Sequence, residues 1–212
     1  MSFWLDETIE RYPCLEIVRP AVKEAVKRAV DTFRNGGTLF TAGNGGSASD
    51  AEHICGELLK GFKSLRPFSD EEISRWNELF GAEAAEKAAL LQKGLRAVSL
   101  LSHPGFSSAF GNDVDSDLTF AQQLLALCRK NDMLFAISTG GNAVNIKYAL
   151  MAAKTAGVYP VLLTGNRHGC CEQFADLVIA VPESETFRIQ ELHIAIYHAF
   201  CLEIEDAIFG NR

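Results

Sequence analysis

Residues 38–50 read TLFTAGNGGSASD, and this stretch decides the fold. TLFTAG (38–43) is a short apolar strand that runs directly into GNGGSASD (43–50) and then into a helix-periodic segment, so the local order is strand, glycine loop, helix. Upstream, residues 15–34 place Ile17, Ala21, Val22, Ala25, Val26, Ala29, Val30 and Phe33 at helical spacing, with charges on the other face and Gly36-Gly37 as the stop. Downstream the pattern repeats. AVSLLS (97–102) leads to DSDLTFAQQLLALC (115–128), and DMLFAIST (132–139) leads through GGN to AVNIKYALMAAKTAG (143–157). Two further apolar strands, VYPVLLTG (158–165) and ADLVIAVP (175–182), precede a long periodic helix over 186–209. Strands that are almost continuously apolar and separated by helices predict an α/β fold, a doubly wound parallel sheet flanked by helices on both faces.

One stretch breaks this rhythm. Between Phe62 and Ala97, Ser69 followed by Glu72 forms a capping box and Ile73, Trp76, Leu79 and Phe80 form one apolar stripe. The organisation expected is one domain over 1–212 with a helical insertion at about 66–94, serving either as a lid or as an oligomer interface.

Composition narrows the function. The 212 residues hold 20 Lys+Arg against 27 Asp+Glu, a net charge of −7, and 48% are hydrophobic, which fits one well-filled core and excludes disorder as the dominant state. An acidic chain with interspersed charge lacks the basic field of a nucleic-acid binder. No apolar run approaches the roughly 20 residues of a membrane span, and the first residues are acidic where a signal peptide is basic, so no membrane association and a cytoplasmic location are expected. The six cysteines lack CxxC spacing, and reduced thiols are expected.

In a doubly wound sheet, ligands bind beyond the C-terminal strand ends. Two loops fall there, GNGGSASD (43–50) and STGGN (138–142). Each combines flexible glycines with hydroxyls and backbone N–H groups at the positive end of a helix, a pattern suited to an anion such as phosphate; each alone also suits a tight βα turn. No Gly-Lys-Ser/Thr follows, which argues against nucleoside triphosphate hydrolysis. His53 and Glu57 lie one turn apart on the helix after the first loop, so they can bind metal, move protons or form a solvated pair. On the last helix Gln190, Glu191, His193 and His198 interrupt an apolar stretch; His193 is read as a satisfied structural or interface histidine.

TAGNGGSASDAEHICGEL, GNDV at 111–114, ISTGGN and RIQELHIAIYHAFCLEIE together resemble the sugar isomerase (SIS) domain proteins, most closely the bacterial phosphoheptose isomerases. The resemblance implies an SIS-type, flavodoxin-like three-layer sandwich and an aldose–ketose isomerase of phosphosugars, converting sedoheptulose 7-phosphate to D-glycero-D-manno-heptose 7-phosphate. It implies Glu57 as catalytic base, His198 as its acid/base partner and Asp113 at the active site. Asn44, Gly45, Gly46, Ser47, Ser138, Thr139, Asn142 and Gln190 would bind the substrate, and His53, Glu57, Gln190 and His198 would hold zinc. A homotetramer with sites between subunits is implied as well. Gln190 and His198 stand about 12 Å apart in helix rise, so one ion reaches both only through converging side chains or two subunits. Two alternatives stand beside this reading: a non-catalytic SIS protein that binds a phosphosugar or a replication initiator, and another phosphosugar enzyme of the same fold. The chain also departs from the family pattern. Gly140 and Ala143 replace hydroxyls of the usual STSGNS loop, and Gly61-Phe62 follows Lys60 where a basic residue is expected.

Overall fold

The computed structural model describes residues 3–210, so the domain limits expected at 1 and 212 lie outside the described residues. The elements run α1 (Phe3–Arg11), α2 (Arg19–Arg34), β1 (Leu39–Ala42), α3 (Gly46–Leu59), α4 (Asp70–Phe80), α5 (Ala82–Ala88), β2 (Ala97–Ser99), α6 (Pro104–Phe110), α7 (Thr119–Leu127), β3 (Met133–Ile137), α8 (Val144–Ala156), β4 (Tyr159–Thr164), β5 (Leu177–Ala180) and α9 (Thr186–Phe209). All strand pairs are parallel, in the order β2-β1-β3-β4-β5, with Thr41 level with Ser99 on one side and Phe135 on the other. This is the flavodoxin-like order; its switch point lies between β1 and β3, where the two glycine loops leave the sheet.

Strand alternation sorts the core into two layers. Leu39, Met133, Phe135, Ile137, Val161, Leu163 and Ile179 face a layer built from α1, α2, α3 and α9. Phe40, Ala42, Leu134, Ala136 and Leu162 face α7 and α8. Because both faces are covered, every residue of β1 and β3 and all of β4 but Tyr159 are buried, which is why these strands read as unbroken apolar runs.

The helix expected over 15–34 divides. Pro13–Val18 form a 3₁₀ turn and α2 begins at Arg19, with Pro20 in its first turn, where a missing N–H breaks no bond. The first strands end earlier than expected: β2 stops at Ser99, whose Oγ accepts the Leu101 N–H at 3.2 Å. Two helices that the hydrophobic spacing did not announce are present. α1 is tied to α9 by Leu5 N–H donating to Glu203 Oε1 (3.0 Å) and Trp4 Nε1–H donating to Asp206 Oδ2 (2.8 Å). α6 runs into a π-helical turn over Gly111–Asp115.

Residues 66–94 contain the hairpin α4–α5. Glu72 N–H donates to Ser69 Oγ (3.3 Å) and Ser69 N–H to Glu72 Oε2 (2.7 Å), a complete capping box. No residue of α4 is buried, and Leu79 and Phe80 are 57% and 68% exposed, so this chain alone leaves the apolar stripe uncovered.

His193 of α9 is fully buried beside the Thr164 backbone, which is its hydrogen-bonding neighbour, in the structural position expected of it. Burial pushes its pKa down from 6.5 to about 4. The folded protein therefore refuses a proton that the unfolded chain accepts, and stability falls as pH drops from about 6.5 to about 4. Urea midpoints for wild type and His193→Leu test this. Wild type should lose about 2 kcal/mol more than the variant between pH 7 and pH 5.

Candidate active site

The two glycine loops meet at the C-terminal edge of β1 and β3. In the first, Asn44, Gly45 and Gly46 are exposed while Ser47 is buried at the start of α3. Gly45 has φ +56°, a conformation that glycine adopts without strain. The N–H groups of Ser47, Ala48 and Ser49 turn back onto the carbonyls of Asn44 and Gly45, so the first turn is folded before any ligand arrives. In the second loop Ser138 is buried and Thr139 half-buried. Asn44 and Asn145, at the start of α8, exchange two amide hydrogen bonds of 2.9 Å each and lock one loop to the other. Asn142 holds its own loop: its Nδ2 donates to Gly140 O, and its Oδ1 accepts the Cys170 N–H, each at 2.9 Å. Gly169 presses so closely that a Cβ there would lie 2.3 Å from the Gly141 carbonyl. Gly140, by contrast, has open space where the usual hydroxyl would stand.

The helices bring three ionisable side chains to one place beside these loops. His53 Nε2 lies 3.1 Å from Glu57 Oε1, and the Glu57 carboxylate is only 13% exposed. The His198 ring packs edge-on against His53, with centroids 5.1 Å apart, and against Phe62 at 5.4 Å. Its Nε2 is buried without a partner. Burial, then the neighbouring His53, push the His198 pKa down, which keeps the imidazole neutral and able to accept a proton. Lys60 Nζ reaches Glu57 Oε2 at 3.2 Å, but the lysine is 60% exposed and holds the carboxylate weakly.

A row of hydrogen bonds supports the cluster from behind. The Tyr197 hydroxyl donates to Asp50 Oδ1 (3.2 Å) and lies 3.0 Å from His53 Nδ1. With its O–H directed at Asp50, the hydroxyl accepts from His53 Nδ1–H, and His53 Nε2 is the nitrogen that faces Glu57. Burial raises the Asp50 pKa, opposed by the Tyr197 hydrogen bond.

Gln190 joins the site by another route. A Cβ on Gly46 would lie 2.3 Å from Gln190 Nε2, so the first turn of α9 rests directly on the first glycine loop. Asp113 stands apart. It lies on the exposed π turn, where Asn112 Nδ2 donates to its Oδ1 at 2.8 Å, and among the described residues no hydrogen bond or ion pair links it to Glu57 or His198. Tyr197, Asp50, Lys60 and Asn145 went unread in the sequence. Only Tyr197, adjacent to His198 in an interrupted apolar helix, carried a local signal.

As metal donors, His53, Glu57 and His198 are neighbours, yet among the described residues no three His, Cys, Asp or Glu side chains are arranged to hold an ion. As placed within one chain, they do not fit a closed metal site. Among the described residues, no helix is long and apolar enough to cross a membrane.

Comparison with known proteins identifies the family of the chain. The SIS domain family matches residues 109–202. The phosphoheptose isomerase of Aneurinibacillus thermoaerophilus is 36% identical over 191 residues, covering 90% of this chain and 83% of its own. That of Aliarcobacter butzleri is 33% identical over 202 residues, covering 95% and 92%. Among solved structures, the phosphoheptose isomerase of Neisseria gonorrhoeae superposes with a TM-score of 0.74 at 29% identity, over 95% of both chains.

Proposed function

The chain belongs to the phosphoheptose isomerase family of SIS-domain proteins, and from that premise we propose that it interconverts sedoheptulose 7-phosphate and D-glycero-D-manno-heptose 7-phosphate. The observation that carries this reading is the grouping of Glu57, His53 and His198 beside two coupled glycine loops.

The reaction moves one hydrogen between adjacent carbons through an enediol, so it needs a base for carbon and an acid/base for the oxygens. Glu57 takes the C1 proton of the ketose and returns it to C2. His198, neutral before the step, relays the proton between O1 and O2. As substrate enters, Glu57 exchanges its contact with exposed Lys60 for the reacting carbon. The phosphate sits against Ser47, Ser138 and Thr139 at the N-terminus of α3, where the helix dipole favours an anion. Asn44, Gly45, Gly46, Asn142 and Gln190 shape the rest of the pocket, and Asp113 reaches the sugar only through movement of its exposed turn.

Zinc is a separate part of the proposal, drawn from the family and held by His53, Glu57, Gln190 and His198. Because these side chains do not close on an ion as they stand, no proton transfer above is routed through one. A homotetramer in the cytoplasm, with sites completed between subunits, is proposed as well. The uncovered stripe of α4 supports it, and the 66–94 hairpin is then an added interface on a single domain.

Glu57→Gln and His198→Asn should fold normally and lose turnover of sedoheptulose 7-phosphate by about a hundredfold or more, in a coupled assay set against a panel of other ketose phosphates. Near-normal turnover in either variant would sink the assignment. Metal analysis of protein prepared without chelator should find zinc approaching one per chain, reduced in His53→Ala; metal-free protein that is fully active in chelator would remove zinc from the site. Sedimentation should give a tetramer, against which a fully active monomer would count.

A further inference from the structure

The loop after α3 is wrapped around one buried ion pair. The Arg66 and Glu205 side chains are 0% and 1% exposed, with Arg66 Nη2 2.7 Å and Nε 2.8 Å from Glu205 Oε1. The same carboxylate accepts three consecutive backbone N–H groups, from Phe62 (2.9 Å), Lys63 (3.0 Å) and Ser64 (3.2 Å). Burial alone would raise the Glu205 pKa; the N–H groups of Phe62 and Lys63, with Arg66, outweigh it and hold the carboxyl ionised. Arg66 turns its other donors to the end of α3, with Nη1 on the Leu58 carbonyl at 3.0 Å and Nη2 on the Glu57 carbonyl at 3.4 Å. Its guanidinium also lies over the Phe209 ring, 4.6 Å from the centroid.

Stability alone does not account for such a pair. Apolar side chains of similar volume commonly replace a buried ion pair at no loss, because desolvation consumes the Coulombic gain. What apolar side chains would not do is hold five backbone groups in fixed places. Two of those groups matter to the chemistry: the carbonyl of Glu57, and the N–H of Phe62, whose ring packs on His198. The turn is too tight for a side chain at Gly61, where a Cβ would lie 2.2 Å from Ser64 O and 2.8 Å from Gln92 Oε1. This accounts for the missing basic residue: the space is taken by the loop closing on Glu205.

We propose that Arg66 and Glu205 are positioning residues for the isomerisation, fixing the backbone of the base Glu57 and the Phe62 ring against His198 from one point on α9. This rests on Glu57 being the base. Neither side chain touches substrate, so their effect passes through geometry and falls on turnover more than on substrate affinity.

Three variants test it: Arg66→Lys, which keeps a charge opposite Glu205 but loses the planar fork; Glu205→Gln; and the apolar double variant Arg66→Met with Glu205→Leu, which removes the charges together. Each is compared with wild type and Glu57→Gln under conditions where circular dichroism shows a folded chain of unchanged oligomeric state. We expect kcat to fall about tenfold or more while KM stays within about threefold, and the amides of residues 62–64 to exchange faster with deuterium. A purely structural pair instead predicts that the double variant recovers both stability and full kcat, an outcome that would overturn the inference even if the single variants failed to fold. Wild-type kcat in Arg66→Lys beside an inactive Glu57→Gln overturns the positioning role alone. Turnover retained in Glu57→Gln overturns the base assignment, and this inference with it.

Discussion

The arrangement of the site depends on how closely the first turn of α9 approaches the sheet. Two glycines permit the approach: a Cβ on Gly46 would lie 2.3 Å from Gln190 Nε2, and one on Gly165 2.4 Å from Ile189 Cδ1. With the helix seated there, its 3.6-residue period delivers one polar group after another to neighbouring elements. Gln190 covers the first loop, His193 stands beside Thr164, Tyr197 reaches Asp50 and His53, His198 meets His53 and Phe62, and Glu205 gathers the loop after α3. A side chain at Gly165 would meet Ile189 and the Glu183 carbonyl and push the start of the helix away, whereas one at Gly46 would displace the Gln190 amide from the first loop. The apolar face of α9 supplies the burial energy, and the glycines decide where that energy places the polar residues.

The sheet was legible because burial on both faces makes strand composition unambiguous: all five apolar runs are strands, and α9 spans the expected 186–209. Local punctuation was less reliable. Pro20 lies inside the expected helix yet starts α2, because a proline in a first turn and a proline that breaks a helix look alike in one sequence. α1 went unread because its nine residues bury just Leu5 and Ile9, too short a stripe to stand out, with two polar contacts to α9 beside them. At the site, the pair within one helix, His53 and Glu57, was visible by spacing. The Asn44–Asn145 pair, the Tyr197–His53 contact and the Arg66–Glu205 pair were not, since each joins residues more than 100 positions apart and only the topology brings them together.

The cluster shows how unequal surroundings divide labour among like groups. His193 and His198 share a helix five residues apart, and both are pushed toward the neutral form by burial. His193 is sealed in the core beside the Thr164 backbone and acts as an inert core side chain. His198 has a second imidazole and a carboxylate nearby, so its unpartnered Nε2 has groups with which to trade a proton. The hydroxyl-poor second loop follows a similar logic. Its shape comes from Asn142 and the neighbouring Gly169 backbone, so the loop keeps its conformation without the usual hydroxyls at Gly140 and Ala143.

The docking of α1 on α9 orders events during synthesis. Translation reaches α1 well before α9, and the N–H groups of Leu5 and Trp4 find their acceptors on Glu203 and Asp206 of α9. Until α9 emerges, β1, β2 and β3 can pair and α1 can meet α2 through the Arg19–Asp6 ion pair, but the layer beneath the sheet stays open. The 24 residues of α9 close that layer and bring in Gln190 and His198 together with the acceptors that hold α1. A chain cut short before α9 is therefore neither a slow enzyme nor a weak one, but a sheet with an uncovered face for chaperones and proteases to find.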